Sequence, residues 1–453
     1  VSTDTIAAIA TPPGRGGICV IRVSGPDVRA IAKAVAGFCP GPRYATLSRF
    51  RDASSSSGAN NIIDEGIALY FPAPNSFTGE DVLELQGHGG VVISDMILNS
   101  VLQAGARMAR PGEFSERAFL NNKLDLVQAE AVADLIDAGS RQAARAALRT
   151  LEGEFSGQIR TLLEELVSLR TYIEASIDFV DEEIELLQSG DIKAKLDGLV
   201  ATTDRITASA GRGCVLREGL HLAIVGRPNA GKSSLMNALS GRESAIVTDI
   251  PGTTRDVIRE HIVIAGIPVQ VHDTAGIREG AREIEEEGIR RARDILTSAD
   301  LVLWVHDDTT DMRRHEYEKY QADTLIIVRN KIDRSGRSPG KQVEEGLPMV
   351  ALSTQTRQGL ELLRQEILRA ARVGSYQEND FSARRRHLQA LEKTGTYLLR
   401  ARTKLEEQLN TGSGSELLAE DLRLAQNTLN EISGEFTTDD LLGKIFTGFC
   451  IGK

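Results

Sequence analysis

The chain has 453 residues, 41% hydrophobic and 26% charged, the composition of a folded globular protein with room for about three domains. A formal net charge of −11 excludes an overall basic footprint for nucleic acid, so any RNA contact has to be local or shared with a partner. No apolar run approaches the roughly 20 residues of a membrane span, and the N-terminus lacks the basic-then-apolar layout of a signal peptide. The four cysteines (Cys19, Cys39, Cys214, Cys450) are far apart and form no C-x-x-C pair, which argues against a disulfide framework or zinc site and fits a reducing cytoplasm.

Residues 1–118 are expected to form a mixed α and β domain. Short β-branched runs over 17–23, 66–71 and 81–85 alternate with helix-like segments, and the polar stretch Ser54–Asn61 is a loop. The glycine-rich Thr11–Gly17 segment has the composition to cradle an anion, but no helix follows it, so an ordinary turn is the simpler reading.

Proline then outlines the architecture. None occurs between Pro111 and Pro228, nor after Pro348. In the first gap Ile159, Leu162, Leu163, Leu166, Leu169, Ile173 and Ile177 recur at helical spacing. In the second, Leu391, Leu398 and Leu405 repeat by heptads, and Leu418, Leu422, Ala425, Leu429 and Ile432 alternate by fours and threes. Each stripe must be buried against something. One helical domain in two parts, 119–216 and 375–453, with another domain (217–374) inserted, is more economical than two separate helical appendages.

The inserted domain carries the chemistry. An apolar run, Leu222–Val225, leads into Gly226-Arg227-Pro228-Asn229-Ala230-Gly231-Lys232-Ser233, followed by the helical Ser234–Leu239. Strand, G-x-x-x-x-G-K-[ST] loop and helix form the context in which backbone N–H groups and a helix N-terminus hold phosphates. Lys232 would reach the β- and γ-phosphates and the Ser233 hydroxyl a Mg²⁺ ion. Gly252-Thr253-Thr254 offers a threonine hydroxyl to the same metal. Asp273-Thr274-Ala275-Gly276 ends a second apolar strand with a carboxylate for a metal-bound water, and Asn330-Lys331-Ile332-Asp333 ends a third. Asp333 can accept two hydrogen bonds from guanine that adenine cannot supply. Four motifs in this order, each next to a strand end, are those of a GTPase. Ile277 stands where a glutamine could orient the attacking water, so catalysis has to draw on another group. The acidic segment Glu279–Glu287 offers carboxylates, and Asn229 puts a neutral carbonyl-bearing side chain into the phosphate loop.

Beyond the nucleotide motifs, five stretches are distinctive: Ala10–Gly17, Asn75–Asp81 (Asn-Ser-Phe-Thr-Gly-Glu-Asp), Glu84–Gly90 (Glu-Leu-Gln-Gly-His-Gly-Gly), Arg110–Phe119 and the terminal Phe449-Cys450-Ile451-Gly452-Lys453. With them the sequence closely resembles, over essentially its whole length, the tRNA-modifying GTPase family known as MnmE or TrmE. The resemblance implies an α/β and all-α multidomain fold: an N-terminal α+β domain that binds folate and dimerises, then a P-loop GTPase domain inserted into a helical bundle. It implies action with an FAD-containing partner, MnmG, in a heterotetramer that adds a carboxymethylaminomethyl or aminomethyl group to C5 of the wobble uridine of certain tRNAs.

By the same resemblance, Arg22, Glu80, Lys123 and Lys453 would hold 5-formyltetrahydrofolate or a related one-carbon folate. Cys450 is open to a structural or a catalytic role. Nucleotide contacts would come from Asn229–Ser234 (Asn229, Ala230, Gly231, Lys232, Ser233, Ser234), Thr248, Asp249, Ile250, Pro251, Gly252, Thr253, Thr254, Asp273–Gly276, Asn330, Lys331, Asp333, Ser353 and Thr354. Gln355 departs from the family pattern in the last of these loops. Mg²⁺ would sit on Ser233 and Thr254, and K⁺ on Asn229, Thr248, Ile250 and Thr253. Hydrolysis would use Asn229 and Thr254, with Glu285 orienting water once two GTPase domains close face to face. Cys450–Lys453 superficially has the form of a prenylation signal, but Gly452 and the terminal lysine argue against it. The alternatives are a GTPase of ribosome assembly and a nucleotide-gated binding switch.

Overall fold

The computed structural model describes residues 4–54, 61–178, 190–240, 259–273, 299–312, 324–344, 346–370, 380–411, 415–434, 445–446, 449 and 452. The chain divides into two units. One comprises Val1–Ala133, Leu151–Val167 and Arg423–Lys453; the other comprises Asp134–Thr150 and Ser168–Leu422.

In the first unit, β1 (Ile6–Ile9), β2 (Cys19–Ser24), β3 (Thr46–Arg51), β4 (Ile62–Phe71), β5 (Val82–Gly87) and β6 (Arg107–Met108) form one sheet in the order β3-β4-β5-β2-β1-β6. All its pairs are antiparallel except β1 with β6. Strand alternation sends Cys19, Ile21 and Val23 of β2 inward, where they meet Ile31 and Val35 of α1 (Val28–Ala36) and Ile97 and Val101 of α2 (Val91–Gln103). The opposite face of β2 carries Arg22. Helix α1 stops at Gly37, whose φ of 83° lets its N–H close on Lys33 O. Next come α3 (Glu113–Leu120) and α4 (Leu126–Ile136). A reciprocal cap starts α4: Gln128 N–H donates to Asp125 Oδ1 at 2.8 Å, and Asp125 N–H to Gln128 Oε1 at 3.0 Å. Leu126 and Ala129 of α4 pack on Phe446 and Phe449 of the C-terminal segment.

The helices α5 (Arg141–Leu151), α6 (Glu154–Asp178) and α7 (Gly190–Glu218) follow. Of the stripe read on α6, Ile159, Leu162, Leu166, Leu169 and Ile173 are buried. Ile177 lies beyond the described side chains.

The second unit contains a seven-stranded sheet of β7 (Leu220–Gly226), β8 (Arg259–Ile264), β9 (Ile267–Asp273), β10 (Leu301–Asp307), β11 (Leu325–Asn330), β12 (Gly340–Glu344) and β13 (Leu347–Ala351), in the order β12-β13-β11-β10-β7-β9-β8. Its five central strands are parallel and its two edge strands antiparallel. Parallel strands are covered on both faces, which is why β7, β10 and β11 read as nearly unbroken apolar runs. Leu222, Ile224, Leu303, Val305, Ile326 and Val328 fill one side; Ala223, Val225, Val302, Trp304 and Ile327 fill the other. The helices of this sheet are α8 (Lys232–Ser240), the short α9 (Ile332–Ser335) and α10 (Leu360–Ala370).

Beyond it run α11 (Arg385–Thr411) and α12 (Ser415–Ser433). Their expected stripes, Leu391, Leu398, Leu405, Leu418, Leu422, Ala425, Leu429 and Ile432, are all buried. Helix α11 packs along α7. The nucleotide-binding sheet is thus inserted, in sequence, between two helices that pair with each other. The fold is α/β and all-α, with an α+β domain in front. No described helix is long and apolar enough to cross a membrane.

Candidate nucleotide site and N-terminal cluster

The loop between β7 and α8 has a conformation that only its glycines permit. Gly226 has φ 148°, and a Cβ there would lie 2.2 Å from Val305 O. Gly231 has φ 97°, and a Cβ there would strike Asn330 Nδ2 at 2.2 Å. Asn229 adopts φ 63°, a left-handed turn that asparagine tolerates better than most residues. Lys232 curls back so that Nζ donates to the carbonyls of Gly226 and Arg227, both at 3.0 Å. Its ammonium is therefore held over the concave loop backbone, where phosphate oxygens would replace those carbonyls. Ser233 and Ser234, in the first turn of α8, are exposed, and Ala230 is buried.

The strand ends converge here. Asp273 is the last residue of β9 and pairs in register with Ile224 of β7, two positions before the loop. Asn330, fully buried at the end of β11, donates from Nδ2 to Ala230 O at 3.0 Å. Its Oδ1 accepts the Thr354 N–H at 3.1 Å. One amide thus joins the phosphate loop to the segment after β13. Ser353 is buried beneath that segment and its hydroxyl accepts the Thr356 N–H. Lys331 Nζ donates to Asn229 O and to Asp307 Oδ2, each at 2.6 Å. A cavity of about 330 Å³ lies between Gly231 and Ser234 on one side and Asn330, Lys331, Asp333 and Thr354 on the other. Asp333 is exposed at its edge.

Two carboxylates that the sequence reading did not select organise this corner. Burial pushes the Asp307 carboxyl up, but hydrogen bonds from Lys331 and from the Thr309 hydroxyl and N–H outweigh it and bring its pKa down to about 2. Asp308 accepts from Arg329, Ser335 and Arg337, which bind α9 to the end of β10. The available signal was the one that revealed Asp273: acidic residues ending an apolar strand, here Leu301–His306.

Thr248, Asp249, Ile250, Pro251, Gly252, Thr253, Thr254, Thr274, Ala275, Gly276 and Glu285 lie outside the described residues, as do Cys450 and Lys453.

In the N-terminal sheet, Arg22 donates from Nε and Nη2 to Glu84 Oε1 at 3.0 and 2.9 Å, and its guanidinium lies 5.4 Å from the Phe77 ring centroid. Glu80 accepts Ser24 Oγ at 2.7 Å and Arg117 Nη1 at 3.0 Å. Ser24 spends its one hydroxyl proton on Glu80, so Thr78, 2.7 Å away, donates to Ser24 in turn. Arg117 is almost fully buried and also binds Asp4 and Glu113. Burial pushes the Glu113 carboxyl up; Arg107, the Arg110 N–H and the charge of Arg117 overcome it and hold it below the ordinary range. The stem of Lys123 lies against Gly79, the residue before Glu80, because a Cβ on Gly79 would come within 3.3 Å of Lys123 Cγ. Arg22, Glu80 and Lys123 therefore share one neighbourhood. Arg117, which fixes Glu80, was not legible in advance.

A glycine-shaped phosphate loop and a strand-end Asn-Lys-x-Asp, meeting at one edge of a mainly parallel sheet, define a P-loop nucleotide-binding domain of the GTPase class. Residues 5–123 match the family model described as GTP-binding protein TrmE N-terminus, and residues 126–450 that of the MnmE helical domain. The tRNA modification GTPase MnmE of Coxiella burnetii (strain Dugway 5J108-111) is 54% identical over 100% of this chain and 99% of its own. That of Pasteurella multocida (strain Pm70) is 52% identical over 99% and 100%. The solved G domain of the T. maritima FeoB iron transporter is 26% identical over 34% of this chain and 98% of its own, with a TM-score of 0.26, too slight a likeness to bear on function. The chain belongs to the MnmE family of tRNA modification GTPases, enzymes that hydrolyse GTP in tRNA modification.

Proposed function

We propose that this protein hydrolyses GTP to drive, with an FAD-containing MnmG partner, the addition of an aminomethyl-type group to C5 of the wobble uridine of certain tRNAs. The observation that carries the nucleotide part is the Asn330 amide, which ties the phosphate loop to the Thr354 segment across a cavity edged by Asp333. On this reading guanine lies against Asn330, Lys331, Asp333, Ser353 and Thr354, and the phosphates lie in the cradle of Gly226–Ser234. The fit is supported by the close approach of Asn330 to Gly231, which any Cβ would block, and by the position of Lys232. Ser233 and Thr254 would hold Mg²⁺, with Asp273 on a metal-bound water; the ion supplies charge neutralisation between the phosphates. Asn229, Thr248, Ile250 and Thr253 would hold K⁺, a cation suited to amide and backbone oxygens.

In the N-terminal domain the Glu80 carboxylate, positioned by hydrogen bonds from Arg117 and Ser24, suits the paired donors of a pterin. Arg22, Lys123 and Lys453 complete the one-carbon folate site. Domains of 1–118, 119–216 with 375–453, and 217–374, a homodimer built on the N-terminal domains, and a cytoplasmic setting belong to the same reading.

The test is nucleoside analysis of tRNA from cells lacking the gene. Loss of the C5 substituent should be restored by the wild-type chain and not by Lys232→Ala. Normal wobble uridines combined with defective ribosomal subunits would replace this reading by a role in ribosome assembly.

A further inference from the structure

The first unit contains a cavity of about 530 Å³, bounded by the end of α3, the turn into α4, the start of α6 and the end of α12. That is within the size range of small-molecule sites. Phe119 and Ile159 give it an apolar wall, and Lys123 and Arg160 line it with two cations. Both cations are exposed, and neither side chain has a hydrogen bond or ion pair with a described residue. The acidic side chain in the wall, Asp125, caps α4 and forms no ion pair with either cation. Ser156, also in the wall, is more than nine-tenths buried, and its hydroxyl has no hydrogen-bond partner among the described residues. A partly apolar cavity with two cations that pair with no described residue suits carboxylates carried on an organic body.

Its position says which carboxylates. Lys123 lines the cavity, while its stem rests against Gly79, next to Glu80. A ligand whose donor edge lies on Glu80 would therefore have a cation of this cavity, Lys123, beside the adjacent residue of the chain. We propose that this cavity is an anion subsite for the glutamyl tail of the folate, with Arg160 as the residue that recognises tail carboxylates; this rests on the folate reading above. Each added γ-glutamyl residue brings one more carboxylate, and a guanidinium pairs with such groups in a planar, two-pronged fashion. The favoured ligand is accordingly a polyglutamylated one-carbon folate.

The test is calorimetric titration of the full-length protein with 5-formyltetrahydrofolate in its monoglutamyl and pentaglutamyl forms. The pentaglutamate should bind about tenfold or more tightly, and the difference should shrink as salt is added. Arg160→Gln should remove most of the preference while leaving monoglutamate affinity within about twofold, and Arg160→Lys should keep part of it. Equal affinities for the two forms, or a preference that survives Arg160→Gln, would overturn the subsite and leave the folate reading standing. Failure of both forms to bind would remove the folate reading and the subsite with it.

Discussion

At the scale of single residues, the Lys331–Asp307 pair shows how the guanine corner is held. Lys331 adopts φ 66° and sends its ammonium to Asn229 O and Asp307, coupling the end of β11 to the phosphate loop and to β10. The Asp307 pKa falls from an ordinary 3.8 to about 2. A carboxylate depressed in the folded state adds stability that is fully present above about pH 4 and is lost as pH falls through about 2. Both side chains are 22% exposed, so solvent screening reduces the contribution to about 1 kcal/mol. Lys331→Met should therefore unfold at lower urea than the wild type at pH 7, and the gap should narrow at pH 3. A gap of the same size at both pH values would mean that Lys331 stabilises the corner by some other route. The motif containing Lys331 was legible because it follows an apolar strand. Its partner was not: Asp307 lies 24 positions away, and one acidic residue in a sequence does not show which base it meets. The pairing of Arg117 with Glu80, 37 positions apart, escaped notice for the same reason.

Among the elements, the helices were the most legible part, because a buried stripe repeats along them. Close crossings of backbone against backbone leave no such pattern. Gly213, inside α7, is a case: a Cβ there would lie 2.2 Å from Phe381 O and 3.0 Å from Ala383 N, so glycine lets the segment before α11 cross the helix. Gly198, in the same helix, is exposed, and a methyl added there would meet nothing within 4 Å. Helix propensity favours alanine over glycine by about 1 kcal/mol at either position. At Gly213 the clash is with backbone, which cannot swing aside, and overpacking of this kind costs about 1–3 kcal/mol. Gly198→Ala should raise the urea midpoint, and Gly213→Ala should lower it despite the same gain in propensity. If both variants were stabilised, the crossing at Phe381 would have to be loose enough to give. The Thr11–Gly17 turn makes the same point in the N-terminal sheet. No helix follows it in sequence, yet Gly16 N–H donates to Gly89 O, next to Gly90, the N-cap of α2. A local pattern could not bring those two glycine loops together.

For the whole molecule, the open question is how a GTPase domain with Ile277 in place of a water-orienting glutamine reaches useful rates. An arginine finger is worth about 10³- to 10⁵-fold in such enzymes, and the sequence singles out no arginine for the part. The phosphate loop instead presents Asn229, exposed and held in a left-handed turn, with its carbonyl fixed by Lys331. That leaves its side-chain amide available to a monovalent cation, whose remaining oxygens would come from Thr248, Ile250 and Thr253, outside the described residues. Two such loops closing face to face would also bring in Glu285 to orient water, so hydrolysis becomes a property of the pair. GTP turnover should then be at least tenfold faster in KCl than in NaCl and should rise more steeply than linearly with protein concentration. Asn229→Ala should keep nucleotide binding and lose the potassium response; Glu285→Ala should keep binding and lose hydrolysis in either salt. Equal turnover in sodium and potassium would remove the cation from the mechanism, and turnover strictly proportional to protein concentration across the range of dissociation would remove the pairing of the GTPase domains.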